Sequence, residues 1–454
     1  MGQFPQKTHF KMEKNMKITF VGAGSTVFTK NVIGDSMLCP SFHDAEFALY
    51  DISEQRLDES YMILEAMNKT INQGRATIKK YLGVEERKNA LRDADFVINA
   101  IQVGGYDPCT IIDFDIPAKY GLRQTIGDTV GIGGIMRGMR TIYALKEIAA
   151  DMEEVCPNAW FLNYTNPMAI VTGYMQRYTK VKTIGLCHSV QVCLKKLLEG
   201  LEMEDKIEGS SYKIAGINHM AWLLEAKDKD GNDLYPEIKT RAKAKNAADK
   251  HKDMVRYDYI DKLGYYCTES STHNAEYSYL YIKPGRWDIL EKFNIPLEVY
   301  PRTCCAQIER WNTLRDEIMN GGVVEHERSH EYGSRIMEAI ATGEPFTFGG
   351  NVINDGYITN LPANACVEVP CVADKNGITP TVVGDLPLQL AAMNSLDVHM
   401  QLLTIEAAHT GDIKTLYQAA MLDPHTGATL STDEIVALVD ELVEAHTNAG
   451  FPIF

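Results

Sequence analysis

Apolar positions along this chain follow two alternating rhythms. Residues 17–21 (KITFV) form a short β-branched and aromatic run that stops at Gly22-Ala23-Gly24-Ser25, and a helical pattern then continues to about Leu38. This is the opening of a β–α unit. Further short apolar runs occupy residues 46–50, 96–101, 160–162, 181–186 and 212–217, most of them separated by helical stretches. That alternation predicts an α/β fold: a Rossmann-like, doubly wound, mostly parallel sheet over roughly the first 200 residues. Beyond about residue 225 the pattern becomes mainly helical, with helices predicted over 296–320, 323–341, 387–409 and 432–448. Residues 346–387, rich in Asn, Gly and Pro, read as turns and short strands covering a site or an interface.

Ligands of doubly wound sheets bind beyond the carboxyl ends of the strands. Here strand after strand ends in polar or flexible groups: Gly22 and Gly24, Asp51, Gln102 with Gly104-Gly105, Asn163, Cys187, and Asn218-His219. One crevice could gather them all.

Composition narrows the classes. The chain has 454 residues, 45% hydrophobic, enough for a large core. A formal net charge of -16 argues against nucleic-acid and anionic-membrane partners, which require clustered cations. No long apolar run is present and the N-terminus lacks a signal-peptide centre, so a cytoplasmic protein is expected. Ten cysteines without CxxC or framework spacing are expected to be reduced thiols. Polar residues 1–15 precede the first periodic segment and read as a mobile extension.

Gly22-x-Gly24 between a strand and a helix lets the backbone approach a diphosphate. The third glycine of the usual fingerprint is replaced by Val27, so a plain tight turn is the competing reading. Asp51, ending the second strand, favours an adenosine ribose and disfavours a 2'-phosphate, which points to NAD over NADP. Cys187 and His219, at the ends of two strands taken to be neighbours, offer half of a divalent metal site. A buried thiol and a hydrogen-bonded histidine are the plain alternative. Asn166, before Pro167, is a polar contact or a helix cap. The stretch GYYCTESSTH (264–273) concentrates ionisable groups, and a tyrosine beside a cation can act as a base. His326-Glu327-Arg328-Ser329-His330 matches HExxH, yet its charged surroundings are those of a solvated helix rather than a zinc peptidase.

Taken together, KITFVGAGST, DTVGIGG (128–134), NYTNPM (163–168), the tetrapeptide Cys187-His188-Ser189-Val190, GINHM (216–220) and GYYCTESS resemble glycoside hydrolase family 4. This family uses NAD and a divalent metal, usually manganese, instead of paired carboxylates. The resemblance spans nearly everything from Met16 onward. It implies a lactate/malate dehydrogenase-like domain over 16–220 that binds NAD, and a mainly helical α+β domain over 221–454 for substrate, metal and oligomerisation. It also implies a reaction of C3 oxidation, C2 deprotonation, elimination, water addition and re-reduction. Within it, Gly22, Gly24, Ser25, Asp51, Gln102 and Gly104 would hold NAD, and Cys187 and His219 would hold Mn2+. Tyr265 or its neighbour Tyr266 would be the base, His188 would face the leaving group, and Asn166 would bind sugar hydroxyls. The CHSV tetrapeptide is similar to that of α-galactosidases. α-Glucosides, glucuronides and galacturonides remain alternative substrates, and a homodimer or homotetramer is expected. From a different class, an NAD-dependent 2-hydroxy acid dehydrogenase shares the fold outline but leaves the Cys187–His219 pair unexplained.

Overall fold

The computed structural model describes residues 15–319 and 326–454. Of the proposed N-terminal extension, residues 1–14 lie outside the described residues. Among the described residues there are twelve strands: β1 (Lys17–Val21), β2 (Glu46–Asp51), β3 (Thr77–Leu82), β4 (Phe96–Asn99), β5 (Trp160–Asn163), β6 (Lys182–Leu186), β7 (Ser211–Ile217), β8 (Met220–Lys227), β9 (Tyr266–Cys267), β10 (Phe346–Ile353), β11 (Cys366–Asp374) and β12 (Gly377–Pro380). They form one sheet in the order 3-2-1-4-5-6-10-11-7-8-9, with β12 beside β11.

β1 to β6 are parallel, and the central strands β1 and β4 are buried along their whole length because helices cover both faces. One face packs Ile18, Phe20, Phe47 and Leu49 into the main core. The other face sets Val21, Val97 and Phe161 against Leu145, Ile148 and Met152 of the 25-residue helix Gly131–Val155. β3 lies outside the predicted strands, because the adjacent exposed lysines Lys79 and Lys80 interrupt any apolar alternation in TIKKYL.

The larger departure lies in the second half. The segment read as turns and short strands is a long antiparallel pair, β10 of 8 residues and β11 of 9, which inserts between β6 and β7. Cys187 and His219 therefore do not follow neighbouring strands. A row of paired residues, Gly185, Asn351, Glu368 and Gly216, crosses the sheet between them. The sheet also runs unbroken through residue 220, where β7 turns into β8, so the expected division between 16–220 and 221–454 meets no break in it.

The predicted C-terminal helices are observed as Val299–Met319, Gly333–Thr342, Leu388–Thr410 and Thr432–Asn448. Residues 326–332, expected to be helical, are not. His326 Nε2 lies 2.8 Å from Asp35, and Ser329 contributes both its N–H (2.9 Å) and its hydroxyl (2.6 Å) to the same buried carboxylate. That anchoring replaces the turn that would have aligned the two HExxH histidines. All ten cysteines are free thiols. Among the described residues no helix is long and apolar enough to cross a membrane.

Candidate active site

Two clusters occupy the crevice beyond the carboxyl ends of β1, β2, β4, β5 and β6. The first is the turn after β1. Gly22 (φ +86°) and Ala23 both donate to Tyr50 O at 3.0 Å, and Ser25 N closes back on Gly22 O before the helix Thr26–Met37 begins. Asp51 Oδ2 accepts Gly24 N–H at 2.6 Å and Oδ1 accepts Ser53 N–H at 2.9 Å. A Cβ at Gly24 would lie 2.8 Å from both Asp51 Oδ2 and Arg56 Cβ, so only glycine lets the turn and the carboxylate approach this closely. Gly22 has no more room, since its Cβ would meet the Ala100 backbone at 2.9 Å. Gln102 is exposed after β4 and, with Gly104 (φ +77°), turns the chain over the same end of the sheet. Ser25 O takes the N–H groups of Phe28 and Thr29 at 2.8 and 3.1 Å, and those of Thr26 and Val27 are the donors a helix start leaves over. The backbone-lined cradle, helix terminus and acidic strand end fit a dinucleotide with a free ribose 2'-hydroxyl.

The second cluster is built on Cys187, which directly follows β6, and His219, at the tip of the β7–β8 hairpin. His219 adopts φ +64°, and its backbone is fixed from both sides: Asn274 Nδ2 donates to His219 O at 2.7 Å, and Tyr277 OH to Asn218 O at 3.3 Å. Its imidazole is 6% exposed, with Nδ1 3.1 Å from His273 Nε2. His273 Nδ1 lies 3.1 Å from Glu276, whose carboxylate also accepts the N–H groups of Thr125, Ile126 and Gly127. With Nδ1 occupied, Nε2 of His219 is the nitrogen left for a ligand.

Burial and the nearby Glu368 push the Cys187 thiol up to about 12, and its proton goes to Ser189 Oγ at 3.1 Å. Glu368 is fully buried beside it and is itself raised to about 7 by burial. Asn351 satisfies one of its oxygens at 2.9 Å, and the other has no partner. The Asn218 amide lies beside both groups and favours the charged form of each, against the burial that raises them. A thiol that ionises only beside a cation, an imidazole nitrogen and a stranded carboxylate oxygen fit a divalent metal. Among the described residues no three His, Cys, Asp or Glu side chains converge as a complete metal cage. Cys187 and His219 thus supply two donors and would leave the other positions of a metal open to substrate oxygens or water.

Around this pair the structure collects residues that sequence reasoning passed over. Asp128 Oδ1 is 3.8 Å from His273 Nε2, and Arg137, buried, reaches Tyr300 OH at 2.9 Å and Asp128 at 4.0 Å. Although burial opposes ionisation, His219 and His273 hold the Glu269 carboxyl down at about 2. His188 is exposed at the mouth, its Nδ1 3.8 Å from Glu331. Asn166 is half-buried on the loop after β5, just before the helix Met168–Tyr178.

The two expected base residues, Tyr265 and Tyr266, lie apart from the Cys187–His219 pair. Tyr266 pairs with Leu223, four residues along from His219, which is roughly 13 Å at about 3.3 Å per residue. Its hydroxyl is spent on Asp253 at 2.7 Å, and its ring lies under Arg256. Tyr265, one residue further out, packs on Tyr235 and Lys239. Among the described residues three tyrosine hydroxyls come to the cluster: Tyr332, held on the Cys187 backbone at 3.0 Å, Tyr277 on Asn218 O at 3.3 Å, and Tyr300, under Arg137 at 2.9 Å. The signal for the missed groups was present at the His end of GYYCTESSTH: His273 and Glu276 stand three apart, the spacing at which two side chains meet on one helical turn.

Comparison with known proteins follows the same lines. Residues 17–203 match the model of the Family 4 glycosyl hydrolases, and residues 214–426 match that of the Family 4 glycosyl hydrolase C-terminal domain. An α-galactosidase of Bacillus subtilis is 60% identical over 95% of this chain and 98% of its own. An α-galactosidase of Rhizobium meliloti is 34% identical over 95% of this chain and 88% of its own. A solved 6-phospho-α-glucosidase from gut microorganisms, in complex with NAD and Mn2+, superposes with a TM-score of 0.78 at 21% identity, covering 95% and 98% of the two chains.

Proposed function

The chain belongs to glycosyl hydrolase family 4, and from that premise we propose that it is an α-galactosidase working with NAD and Mn2+ on α-galactosides such as melibiose. The observation that carries this reading is a dinucleotide turn and an open Cys187–His219 pair facing one crevice at the end of one sheet. The galactoside is supported by the likeness to the two α-galactosidases and by Cys187-His188-Ser189-Val190.

Gly22, Gly24 and Ser25 would cradle the diphosphate, Asp51 the ribose, and Gln102 with Gly104 would flank the dinucleotide within residues 16–220. Cys187 and His219 would ligate the metal. When bound, NAD supplies a reversible electron-pair acceptor for a sugar hydroxyl and the metal a Lewis acid for the sugar oxygens. The chain's own groups do the proton work. A sugar C2 proton, acidified by a neighbouring ketone, passes to a base, and Tyr300 has the supporting geometry because the Arg137 guanidinium lies on its hydroxyl. Burial raises the hydroxyls of both Tyr277 and Tyr300; at Tyr300 the Arg137 guanidinium pulls it back, whereas at Tyr277 the carboxylates of Asp397, Asp128 and Glu269 push it further up. His188 faces the leaving group and Asn166 the sugar hydroxyls. We further propose a cytoplasmic homodimer or homotetramer, supported by the exposure of Trp287, Val382 and Leu388 at 62–82%.

The test is hydrolysis of p-nitrophenyl α-galactoside by dialysed protein under reducing conditions, omitting NAD+ and Mn2+ in turn. Cleavage that needs both and leaves no net NADH is the expected result. Cleavage with neither refutes the mechanism, and net NADH formation from a 2-hydroxy acid would transfer the chain to the dehydrogenases.

A further inference from the structure

The HExxH-like segment that the zinc reading leaves unused is built into the crevice wall. Its front end is fixed to the fully buried Asp35 of the helix Thr26–Met37, through His326 (2.8 Å) and Ser329 (2.9 and 2.6 Å). Its back end is fixed to the metal loop, because Tyr332 OH takes Cys187 N–H at 3.0 Å and lies 3.1 Å from both Cys187 O and Gly349 O. Glu331, between the two anchors, is thereby held against residue 188. Its Oε1 is 3.8 Å from His188 Nδ1, and its Oε2 is buried with no hydrogen-bond partner.

Resting on the α-galactosidase reading above, we propose that Glu331 is the acid that protonates the departing aglycone oxygen, with His188 as the positioning group beside it. A leaving-group acid must carry a proton at working pH, regain it each turnover and sit beside the sugar rather than beneath it. An ordinary glutamic acid fails the first condition. Here burial, and then the charge of Asp35, hold the Glu331 proton on to about pH 7. The groups facing it are Asp35, His188, the Tyr164 hydroxyl, itself bound to Gly333 N–H at 3.0 Å, and the neighbouring His330. None of them is a lysine or arginine that would strip the proton permanently. The step balances: as the C1–O bond breaks, its electron pair goes to the aglycone oxygen, which takes the proton from Glu331. When water adds at C1, its surplus proton returns to the carboxylate.

The experiment compares a poor leaving group with a good one. In Glu331→Gln, kcat/KM for melibiose is expected to fall by about 100-fold or more, the usual scale of acid catalysis. p-Nitrophenyl α-galactoside, whose phenolate leaves unaided, should lose less than about fivefold, and exchange of the sugar C2 proton with solvent deuterium should persist. Equal losses on both substrates, or none on either, overturn the proposal. So does the same leaving-group dependence in His188→Asn with none in Glu331→Gln. A readout free of folding artefacts is the wild-type pH profile: melibiose cleavage should decline above about pH 7 while p-nitrophenyl cleavage does not, and coincident profiles overturn the assignment. A wild type that cleaves neither substrate refutes the α-galactosidase reading instead.

Discussion

His273→Ala removes the partner of the proposed metal ligand without touching the ligand itself. In the wild type, His219 Nδ1 meets His273 Nε2 at 3.1 Å in a site where both rings are nearly inaccessible to water, at 6% and 2% exposure. With Glu276 fixing the far side of His273, the chain Glu276–His273–His219 presents the bare Nε2 lone pair of His219 to the crevice. Truncation leaves a buried imidazole N–H without an acceptor, a loss of about 1–3 kcal/mol, and frees the ring to rotate. At about 1.4 kcal/mol per decade, Mn2+ should bind roughly 10–100-fold more weakly, which is the range known for outer partners of metal-bound histidines. The assay is a Mn2+ titration read by the electron paramagnetic resonance signal of the free ion, with NAD+ affinity as the control. Because the dinucleotide turn is formed by other residues, NAD+ binding should stay within about twofold. Mn2+ affinity unchanged within twofold would refute the reasoning, since it would mean that His219 needs no orientation or is no ligand.

Other consequences are equally direct. Gly24→Ala places a methyl 2.8 Å from Asp51 Oδ2, so calorimetry should give at least about a tenfold loss of NAD+ affinity, and wild-type affinity would sink the proposed cradle. Glu331 has its pKa raised from 4.5 to about 7. The native state thus binds the extra proton between those values, and its contribution to stability is full below about pH 4.5 and lost as pH rises through 7. At about 1.4 kcal/mol per unit the swing is about 3 kcal/mol at most. Glu331→Gln should therefore gain stability relative to wild type between pH 5 and pH 8 in urea denaturation, and a pH-independent difference would contradict the burial argument. Tyr266→Phe should cost about 1–3 kcal/mol by leaving Asp253 short of a donor, yet keep kcat within about threefold. Tyr300→Phe should abolish C2 proton exchange, and the reverse pattern would reinstate Tyr266 as the base.

The parts of this fold that were legible in the sequence are those that obey local rules. β1, β2, β4, β5 and β6 are short apolar runs closed by polar or glycine residues, and the helices between them keep a 3.6-residue rhythm, so the nucleotide half can be traced from periodicity. β10 and β11 escape the same reading for a physical reason. FTFGGNVI and CVEVPCVAD contain paired glycines, an asparagine and a proline, residues that weaken strands in general. Here Gly349 and Gly350 have no room for a side chain, with Val190, Cys371 and Ile184 within 3 Å of where a Cβ would stand, and Asn351 is spent on Glu368. What looks like a breaker is the price of packing two strands beneath a polar site.

That insertion also explains why half of the candidate site was visible and half was not. Strand ends identify Cys187 and His219 one at a time, because each is a local event. Their union depends on β10 and β11 coming from 160 residues downstream, and these bring Glu368 and Asn351 with them. The position of Tyr265 and Tyr266 away from His219 has the same origin. GYYCTESSTH was read as one cluster, yet β9 runs antiparallel to β8, so moving along the stretch from Tyr265 to His273 travels from the far edge of the sheet toward the hairpin tip. Only the last residues arrive at His219. Composition made the stretch a candidate, and strand direction decided which end of it acts.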